Sequence, residues 1–190
     1  PTAAPTPTPT TAPTPQGPVV ALDLSSATAT QSSVGHGGVA SRAVASPNPS
    51  STWGHGTCTH TNHQSNPWWT VDLGATYNVA DVEVLNRGDC CWDRLNGFDV
   101  SVGGTTCASN VQIGRGASLT VECVGSGSDV KISLSGNGIL TLCGVKVKAV
   151  QIIGPPPPPA SPFPPSTPPM APTAILDLSS ATATQSSTGH

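Results

Sequence analysis

The sequence predicts an all-β sandwich of the jelly-roll type. Several short segments alternate apolar and polar residues, turn-forming Gly, Asn, Ser and Pro cluster between them, and almost no stretch shows helical periodicity. Because half-buried antiparallel strands alternate in this way, the pattern indicates packed antiparallel sheets. The segments with strand character are residues 69–72, 79–85, 97–102, 118–123, 129–134 and 140–150.

Pro-rich stretches bound this domain. Residues 1–18 are almost wholly Pro, Thr and Ala, and residues 154–172 contain a Pro run. Neither stretch holds enough apolar side chain to offset the entropy lost on ordering, so we predict disordered, extended linkers. Residues 19–153 form the predicted domain, with room for one core.

A repeat follows the second linker. Residues 176–187 repeat residues 22–33 letter for letter (LDLSSATATQSS). We therefore expect residues 173–190 to be the truncated start of a second copy of the domain, taken from a tandem array.

Composition narrows the class of protein. The six cysteines all lie between Cys58 and Cys143, and an even set in a small domain predicts a disulfide framework formed in an oxidising, extracellular or cell-surface environment. A net charge of −3 with only seven basic residues argues against nucleic-acid binding and against attachment to anionic membranes. The sequence contains no apolar run long enough to insert into a membrane.

Residues 86–94 carry unusually dense charge for a chain that is 9% charged. A disulfide between the adjacent Cys90 and Cys91 would form a rigid apolar plate with an arginine on either side. Two arginines can grip vicinal hydroxyls, and Asp89 would hold one of them in place. The stretch therefore predicts a site for a small polyhydroxylated ligand, with a purely structural Arg–Asp network as the alternative.

Two other functions could be read from the same stretch. Residues 87–89 spell the tripeptide that cell-adhesion receptors recognise, but recognition needs a protruding flexible loop, which a vicinal disulfide opposes. Asp89 and Asp93 could form a carboxylate pair for glycoside hydrolysis, but both stand beside arginines and should be ionised. We therefore predict that the chain is not an enzyme.

His55, Cys58, His60 and His63 form a second cluster, whose residue types could bind zinc. The spacing matches no common zinc motif, and Cys58 is expected to form a disulfide. We favour the interpretation that His55 and His63 are exposed loop residues.

The spacing of four of these residues resembles the signature of the fucolectins, or F-type lectins. The four residues are His60, Arg87, Asp89 and Arg94. Surrounding residues agree with the family, including Asn66–Pro67–Trp68–Trp69 and all six cysteines, and the resemblance covers about residues 20–150.

The resemblance implies an eight-stranded antiparallel β-sandwich that binds L-fucose at its loop end. It implies that His60, Arg87 and Arg94 hydrogen-bond the ring oxygen and the 3- and 4-hydroxyls, and that Asp89 orients the arginines. It places the Cys90–Cys91 disulfide against the apolar edge of the sugar. The other implied contributors are His36 and Trp53, beside the methyl group, and the other implied disulfides are Cys58–Cys143 and Cys107–Cys123.

One departure from the family concerns calcium. Relatives bind a structural calcium ion through an acidic loop segment and a glutamate after the last cysteine, whereas here residues 43–48 contain no acidic residue and Gly144 replaces the glutamate. Calcium needs six to eight oxygen ligands, usually including carboxylates. A loop without calcium is therefore favoured, and Asn48 is the one remaining side-chain ligand if the ion binds.

The sequence as a whole predicts a lectin domain that recognises terminal fucosylated glycans, with tandem copies supplying avidity. The alternative is a non-binding structural or adhesion module of the same fold in an extracellular multidomain protein.

Overall fold

The computed structural model describes residues 17–150. The described chain consists of nine strands and three short 3-10 turns, and it contains no α-helix between those bounds. The strands are β1 (Val19–Ala21), β2 (Ala29–Gln31), β3 (Gln64–Ser65), β4 (Trp68–Leu85), β5 (Phe98–Val102), β6 (Thr105–Val111), β7 (Ser118–Leu134), β8 (Asn137–Gly138) and β9 (Gly144–Val150). The 3-10 turns are Ala40–Ala43, Trp53–His55 and Trp92–Leu95.

Two long antiparallel strands, β4 and β7, organise the fold. The first part of β4 pairs with β2 and with the last part of β7, whereas the second part of β4 pairs with β9 and with the first part of β7. The register of β4 against β7 shifts between Asp72 and Tyr77 and again between Val79 and Asp81. Such irregularities bend strands, so one pair of strands serves both layers of the sandwich.

The remaining strands extend each layer. Strand β5 pairs with the last part of β7 and β6 pairs with β5, while β1 pairs with β9 on the other side. Both layers contribute to a single buried core, which includes Trp69, Phe98 and Ile132 from one layer and Val82 and Val147 from the other. The indole N–H of Trp69 is satisfied inside this core, because it donates to the carbonyl of Ala40 at 2.9 Å.

The all-β sandwich predicted from the alternating segments is confirmed, with two corrections of detail. Within the described residues the count is nine strands where eight were expected: seven belong to the hydrogen-bonded sheet of the sandwich, and β3 and β8 form a separate two-stranded ribbon. Segments predicted as four strands are the ends of two, since β4 and β7 run continuously through the bends. The predicted linker residues 1–16 and 154–172, and the predicted second copy, lie outside the described residues.

The predicted last strand begins later than expected, at Gly144 instead of residue 140. Leu140 and Leu142 are buried but bond to a loop instead of a regular strand. Their carbonyls accept from the N–H groups of Thr61 and Thr59, and their own N–H groups donate to the hydroxyls of the same two threonines, at distances of 2.8 to 3.2 Å. Each threonine thus makes two hydrogen bonds to this segment, which fixes the backbone on either side of position 60.

One disulfide joins two loops and another joins strands β6 and β7. Cys58 is joined to Cys143 and Cys107 to Cys123, the pairs that the family resemblance implies. The part of the chain that the structure describes contains no helix of the length and apolar character needed to cross a bilayer.

Candidate functional site

Seven of the eight residues expected at the site line one cavity of about 260 Å³ at the loop end of the domain. The lining residues are His36, Trp53, His60, Arg87, Cys90, Cys91 and Arg94. The eighth, Asp89, is absent from the lining but is bonded to Arg87. The fold thus brings together side chains that are far apart in the sequence.

His60 is held in the cavity wall by its backbone. Its N–H donates to the carbonyl of Gly38 at 2.9 Å, and its carbonyl accepts from the N–H of Gly35 at 2.8 Å. The threonines on either side of it make the bonds to residues 140–142 described above. Only 5% of the residue is exposed, so its position is set before a ligand arrives.

Gly38 permits this close approach of two loops. A Cβ atom at position 38 would lie 2.6 Å from the backbone nitrogen of His60 and 2.8 Å from Cη2 of Trp53. Since real atoms do not approach so closely, any larger residue would displace both neighbours from the cavity wall. The sequence analysis did not identify this requirement.

Hydrogen bonds fix the tautomer of His60. Nδ1 lies 2.6 Å from the carbonyl oxygen of Thr61, which can only accept, so Nδ1 carries the proton. Nε2 lies 3.1 Å from Nη1 of Arg94, which can only donate, so Nε2 is the acceptor. Burial lowers the pKa of His60 below its usual 6.5; the bond to Thr61 opposes this shift and Arg94 adds to it. His60 therefore presents an acceptor beside two donor-only arginines.

Asp89 holds Arg87 in one orientation. Nε and Nη2 of Arg87 donate to the two carboxylate oxygens at 2.8 and 2.9 Å. This hydrogen-bonded pair holds the pKa of Asp89 well below its usual value. The guanidinium also lies over the ring of Trp53, 4.9 Å from its centroid, and the backbone N–H of Trp53 donates to Asp89 at 3.3 Å. Arg87 uses two donors on Asp89, which leaves its other N–H groups available to a ligand.

Two residues missed by the sequence analysis brace this segment. The amide nitrogen of Asn86 donates to the carbonyls of Trp92 and Gly114, both at 3.0 Å, while its amide oxygen accepts from the N–H of Arg87 at 2.7 Å. Arg115 donates to the carbonyl of Gly88 at 2.7 Å and to that of the next residue at 3.1 Å. For Arg115, the sequence offered one sign of a specific role: it is a single arginine between two glycines, at residues 114–116.

The vicinal disulfide lies in the sequence between the two arginines of the site, Arg87 and Arg94. Cys90 is bonded to Cys91, and Cys91 adopts a left-handed backbone with φ of +56°. This residue precedes the 3-10 turn Trp92–Leu95, which carries Arg94 and is anchored by the fully buried Leu95. The disulfide thus forms part of the cavity wall and begins the turn that places the second guanidinium.

The other functions considered for these residues find no support in the geometry. Arg87 is only 8% exposed and is paired with Asp89, so the tripeptide at residues 87–89 is not a protruding loop. Cys58 is in a disulfide, His55 and His63 are exposed, and no cluster of three or more potential metal ligands occurs within residues 17–150.

The positions that the family resemblance implies for calcium do not fit that ion here. A Cβ atom on Gly144 would lie 2.5 Å from Cγ of Pro49 and 3.3 Å from Cβ of Leu85, so Pro49 fills the space that a side chain at position 144 would need. Asn48 is exposed, and its backbone N–H bonds to the hydroxyl of Ser46 at 3.2 Å. Residues 43–48 contain no acidic residue and Pro49 fills the space at position 144, so neither position supplies a carboxylate for calcium.

Comparison with known proteins gives a consistent result. Residues 46–134 match the family described as NedA-like, galactose-binding domain. Fucolectin-5 of Anguilla japonica is 34% identical over 137 residues, which are 64% of this chain and 72% of that protein. The fucolectin of Anguilla anguilla is 46% identical over 56 residues, 30% of this chain and 35% of that one. This chain thus spans about a third of the latter, and it spans 64% of Anguilla japonica fucolectin-1.

Solved structures agree with these matches. The F-lectin (fucolectin) from the serum of Morone saxatilis has a TM-score of 0.63 at 34% identity, covering 68% of this chain and 49% of that one. A His 62 mutant of the lectin-binding domain of lectinolysin, complexed with Lewis b, has a TM-score of 0.63 at 37% identity, covering 70% of this chain and all of that one. On this sequence similarity and shared fold, the chain belongs to the fucolectin, or F-type lectin, family.

Proposed function

We propose that the domain is a lectin that binds terminal L-fucose of fucosylated glycans in the 260 Å³ cavity. The observation that carries the proposal is the convergence of His60, Arg87 and Arg94 with the Cys90–Cys91 disulfide on that one cavity. Relatives named as fucolectins, and a solved lectin domain named as a complex with Lewis b, support the class of ligand.

The hydrogen-bonding groups of the cavity suit a sugar hydroxyl. The arginines offer donors only, whereas neutral His60 offers Nε2 as an acceptor. A hydroxyl group both donates and accepts, so one hydroxyl that displaces the direct bond between Arg94 and His60 can accept from Arg94 and donate to His60. A carbonyl or ether oxygen in the same place would leave Nε2 without a donor from the ligand. We assign the 3- and 4-hydroxyls and the ring oxygen of fucose to His60, Arg87 and Arg94.

The remaining wall suits the apolar edge of a deoxy sugar. The Cys90–Cys91 disulfide carries no strong hydrogen-bonding group and would pack against the ring carbons. His36 and Trp53 lie edge-on to His60, with ring centroids 4.9 and 5.6 Å away. These two rings would form the side of the pocket that takes the methyl group.

The carboxylates near the cavity do not suit catalysis. Asp89 is ionised and bonded to Arg87, so it is neither a general acid nor a free nucleophile. We therefore propose a binding module without enzymatic activity. The three disulfides and the similarity to a serum lectin support an extracellular or cell-surface location.

Binding of one monosaccharide should be weak, because a small ligand buries little surface to offset the cost of association. The repeated sequence at residues 176–187 supports an array of domains, and linked copies raise the effective concentration of sites. We propose that affinity for cell-surface glycans arises from this multivalency.

A glycan array with a matched variant tests the proposal. We expect the parent chain to bind fucosylated glycans and Arg94→Ala to lose them, with unchanged thermal unfolding since the side chain is partly exposed. Thr120→Ala, an exposed change on β7, should bind like the parent. A blank array for the correctly oxidised parent would instead indicate the non-binding module of the same fold.

A further inference from the structure

A turn of four residues, 35–38, places His36 in the wall of the 260 Å³ cavity. The N–H of Gly38 donates to the carbonyl of Gly35 at 2.9 Å and closes the turn. The two central residues, His36 and Gly37, have positive φ values of +49° and +71°, as in a type I′ turn. Left-handed backbone is uncommon for a residue with a side chain, and it persists where the surrounding structure enforces it. His36 therefore needs support from outside its own turn.

Gln31, the last residue of β2, supplies that support. Its amide nitrogen lies 3.0 Å from the carbonyl oxygen of Gly38 and 3.0 Å from that of His60. It also lies 2.6 Å from the carbonyl oxygen of Ser33, just before the turn. Because carbonyl oxygens only accept, the amide nitrogen and not the amide oxygen must face them. One side chain thus ties the turn to the segment that carries His60.

The backbone joins the same two segments by two hydrogen bonds, from Gly35 to His60 and from His60 to Gly38. The two carbonyl oxygens that accept these bonds are also acceptors for Gln31. Held in this way, the ring of His36 lies edge-on to that of His60, with centroids 4.9 Å apart. His60 has separate support, because the threonines on either side of it bond to the loop before β9. Loss of the Gln31 amide should therefore loosen His36 and leave His60 in place.

The partial repeat of the sequence keeps these residues together. Residues 31–36 read QSSVGH, and residues 185–190 read QSSTGH. Val34, the one residue of the six that differs, is 50% exposed. The glutamine, the glycine and the histidine thus recur at the same spacing, as expected of residues that act together.

We propose that Gln31 is a positioning residue that makes the cavity selective for a 6-deoxy sugar by holding His36 in place. The inference rests on the proposed function, in which the methyl group of L-fucose lies beside His36 and Trp53. Gln31 is absent from the cavity lining, so it acts through the turn. A wall held in one position can admit a methyl group and exclude a larger hydroxymethyl group, whereas a loosened turn can move aside.

The test compares L-fucose with L-galactose, which carries a hydroxyl group on the sixth carbon, by calorimetric titration of the full chain. The parent should bind L-fucose at least about tenfold more tightly. Gln31→Met keeps the length of the side chain and removes both donors. It should weaken L-fucose binding about 2- to 10-fold, as for one neutral hydrogen bond, and reduce the preference for L-fucose at least about twofold.

The matched control is Gln112→Met, the same chemical change at an exposed glutamine whose amide donates to Asn110 and does not line the cavity. It should change neither affinity. Gln31→Asn keeps the amide but withdraws it from the turn by one methylene. This milder variant should shift the preference in the same direction, and it replaces Gln31→Met if the latter does not fold.

A double variant tests whether Gln31 acts through the turn. His36→Ala, at an exposed position, should reduce the preference at least as much as Gln31→Met, and Gln31→Met/His36→Ala should reduce it no further. Additive losses would overturn the inference, as would an unchanged preference in Gln31→Met or an equal loss of affinity for both sugars. A parent that binds both sugars equally would also overturn it and leave the lectin assignment intact. A parent that binds neither sugar would overturn the proposed function, and this inference with it.

Discussion

Nη1 of Arg94 lies 3.1 Å from Nε2 of His60, and this contact requires the imidazole to be neutral. A protonated ring would place two donors face to face and add a third positive charge beside those of Arg94 and Arg87. The affinity of the site should therefore depend on the protonation state of one buried histidine.

We predict that fucose binding weakens in mildly acidic solution. Burial lowers the pKa of His60 below 6.5 in the folded protein, so binding should be constant at neutral pH and fall as the pH drops through that lowered value. The same shift affects stability: the unfolded chain takes up the proton first, so the free energy of unfolding should decrease as the pH falls below about 6.5. Titration with L-fucose between pH 7.5 and pH 4 measures the first effect and urea unfolding the second.

The control for the pH effect is His55→Gln, which alters an exposed histidine outside the cavity lining. Its pH profile for binding should overlay that of the parent. Binding that strengthened on acidification would contradict the assigned tautomer.

A second prediction concerns the carboxylate that orients Arg87. Asp89→Asn removes one of the two charge-assisted acceptors and leaves the guanidinium free to reorient, so affinity for L-fucose should fall roughly 10- to 100-fold, as for the loss of a charged hydrogen bond. Asp93→Asn is the matched control, since this exposed carboxylate makes no contact with the fucose cavity. It should change L-fucose affinity less than about twofold. Equal losses in the two variants would mean that overall charge, and not the orientation of Arg87, governs binding.

A third prediction concerns calcium. Because Pro49 occupies the space beside Gly144 and residues 43–48 contain no acidic residue, chelation with EDTA should change neither fucose affinity nor the melting temperature. Gly144→Glu should fail to create a calcium site and should destabilise the domain by about 1–3 kcal/mol, the usual cost of overpacking. Gly114→Ala is the control, as its Cβ atom would make only an ordinary contact of 3.8 Å with Ala117. A calcium-dependent rise in melting temperature in the parent would show that the ion binds without these two carboxylates, through Asn48 and backbone oxygens.

Much of the sandwich could be predicted from the sequence because its strands bury alternate residues. The alternation is read directly from Val82 and Val84 in one segment and from Phe98, Val100 and Val102 in another. Strands β1, β2, β3 and β8 could not be predicted, since two or three residues are too few to show a period. The continuity of β4 was hidden by residues 73–78, which interrupt the alternation where the strand changes layer.

Some residues of the site could likewise be predicted from the sequence, and others could not. His60, Arg87 and Arg94 could be identified because their side chains carry the chemistry and stand at the spacing of a known family. Gly38, Asn86 and Arg115 could not, because each acts by holding backbone in place and its partners are distant in the sequence. The pairing of β3 with β8 could not be predicted for the same reason.

The last prediction separates the roles of two disulfides by the length of chain that each closes. Cys58–Cys143 spans 85 residues and Cys90–Cys91 only one. In the chain-entropy account a loop of the first kind contributes about 4 kcal/mol to stability, and a vicinal bond closes no loop of consequence. Cys58→Ser/Cys143→Ser should therefore lower the free energy of unfolding strongly. Cys90→Ser/Cys91→Ser should lower it by less than about 1 kcal/mol.

The effect on fucose affinity should be the reverse. Under conditions where both double variants remain folded, the Cys90/Cys91 variant should lose more affinity than the Cys58/Cys143 variant. Loss of the Cys90–Cys91 bond removes part of the cavity wall and frees the left-handed residue that precedes the turn carrying Arg94. Affinity for L-fucose should therefore fall at least about tenfold in that variant, a loss of roughly 1.4 kcal/mol. Titration of both variants alongside chemical unfolding gives the comparison. If loss of the Cys90–Cys91 bond lowered stability but not affinity, the disulfide would stabilise the fold without contributing to sugar binding.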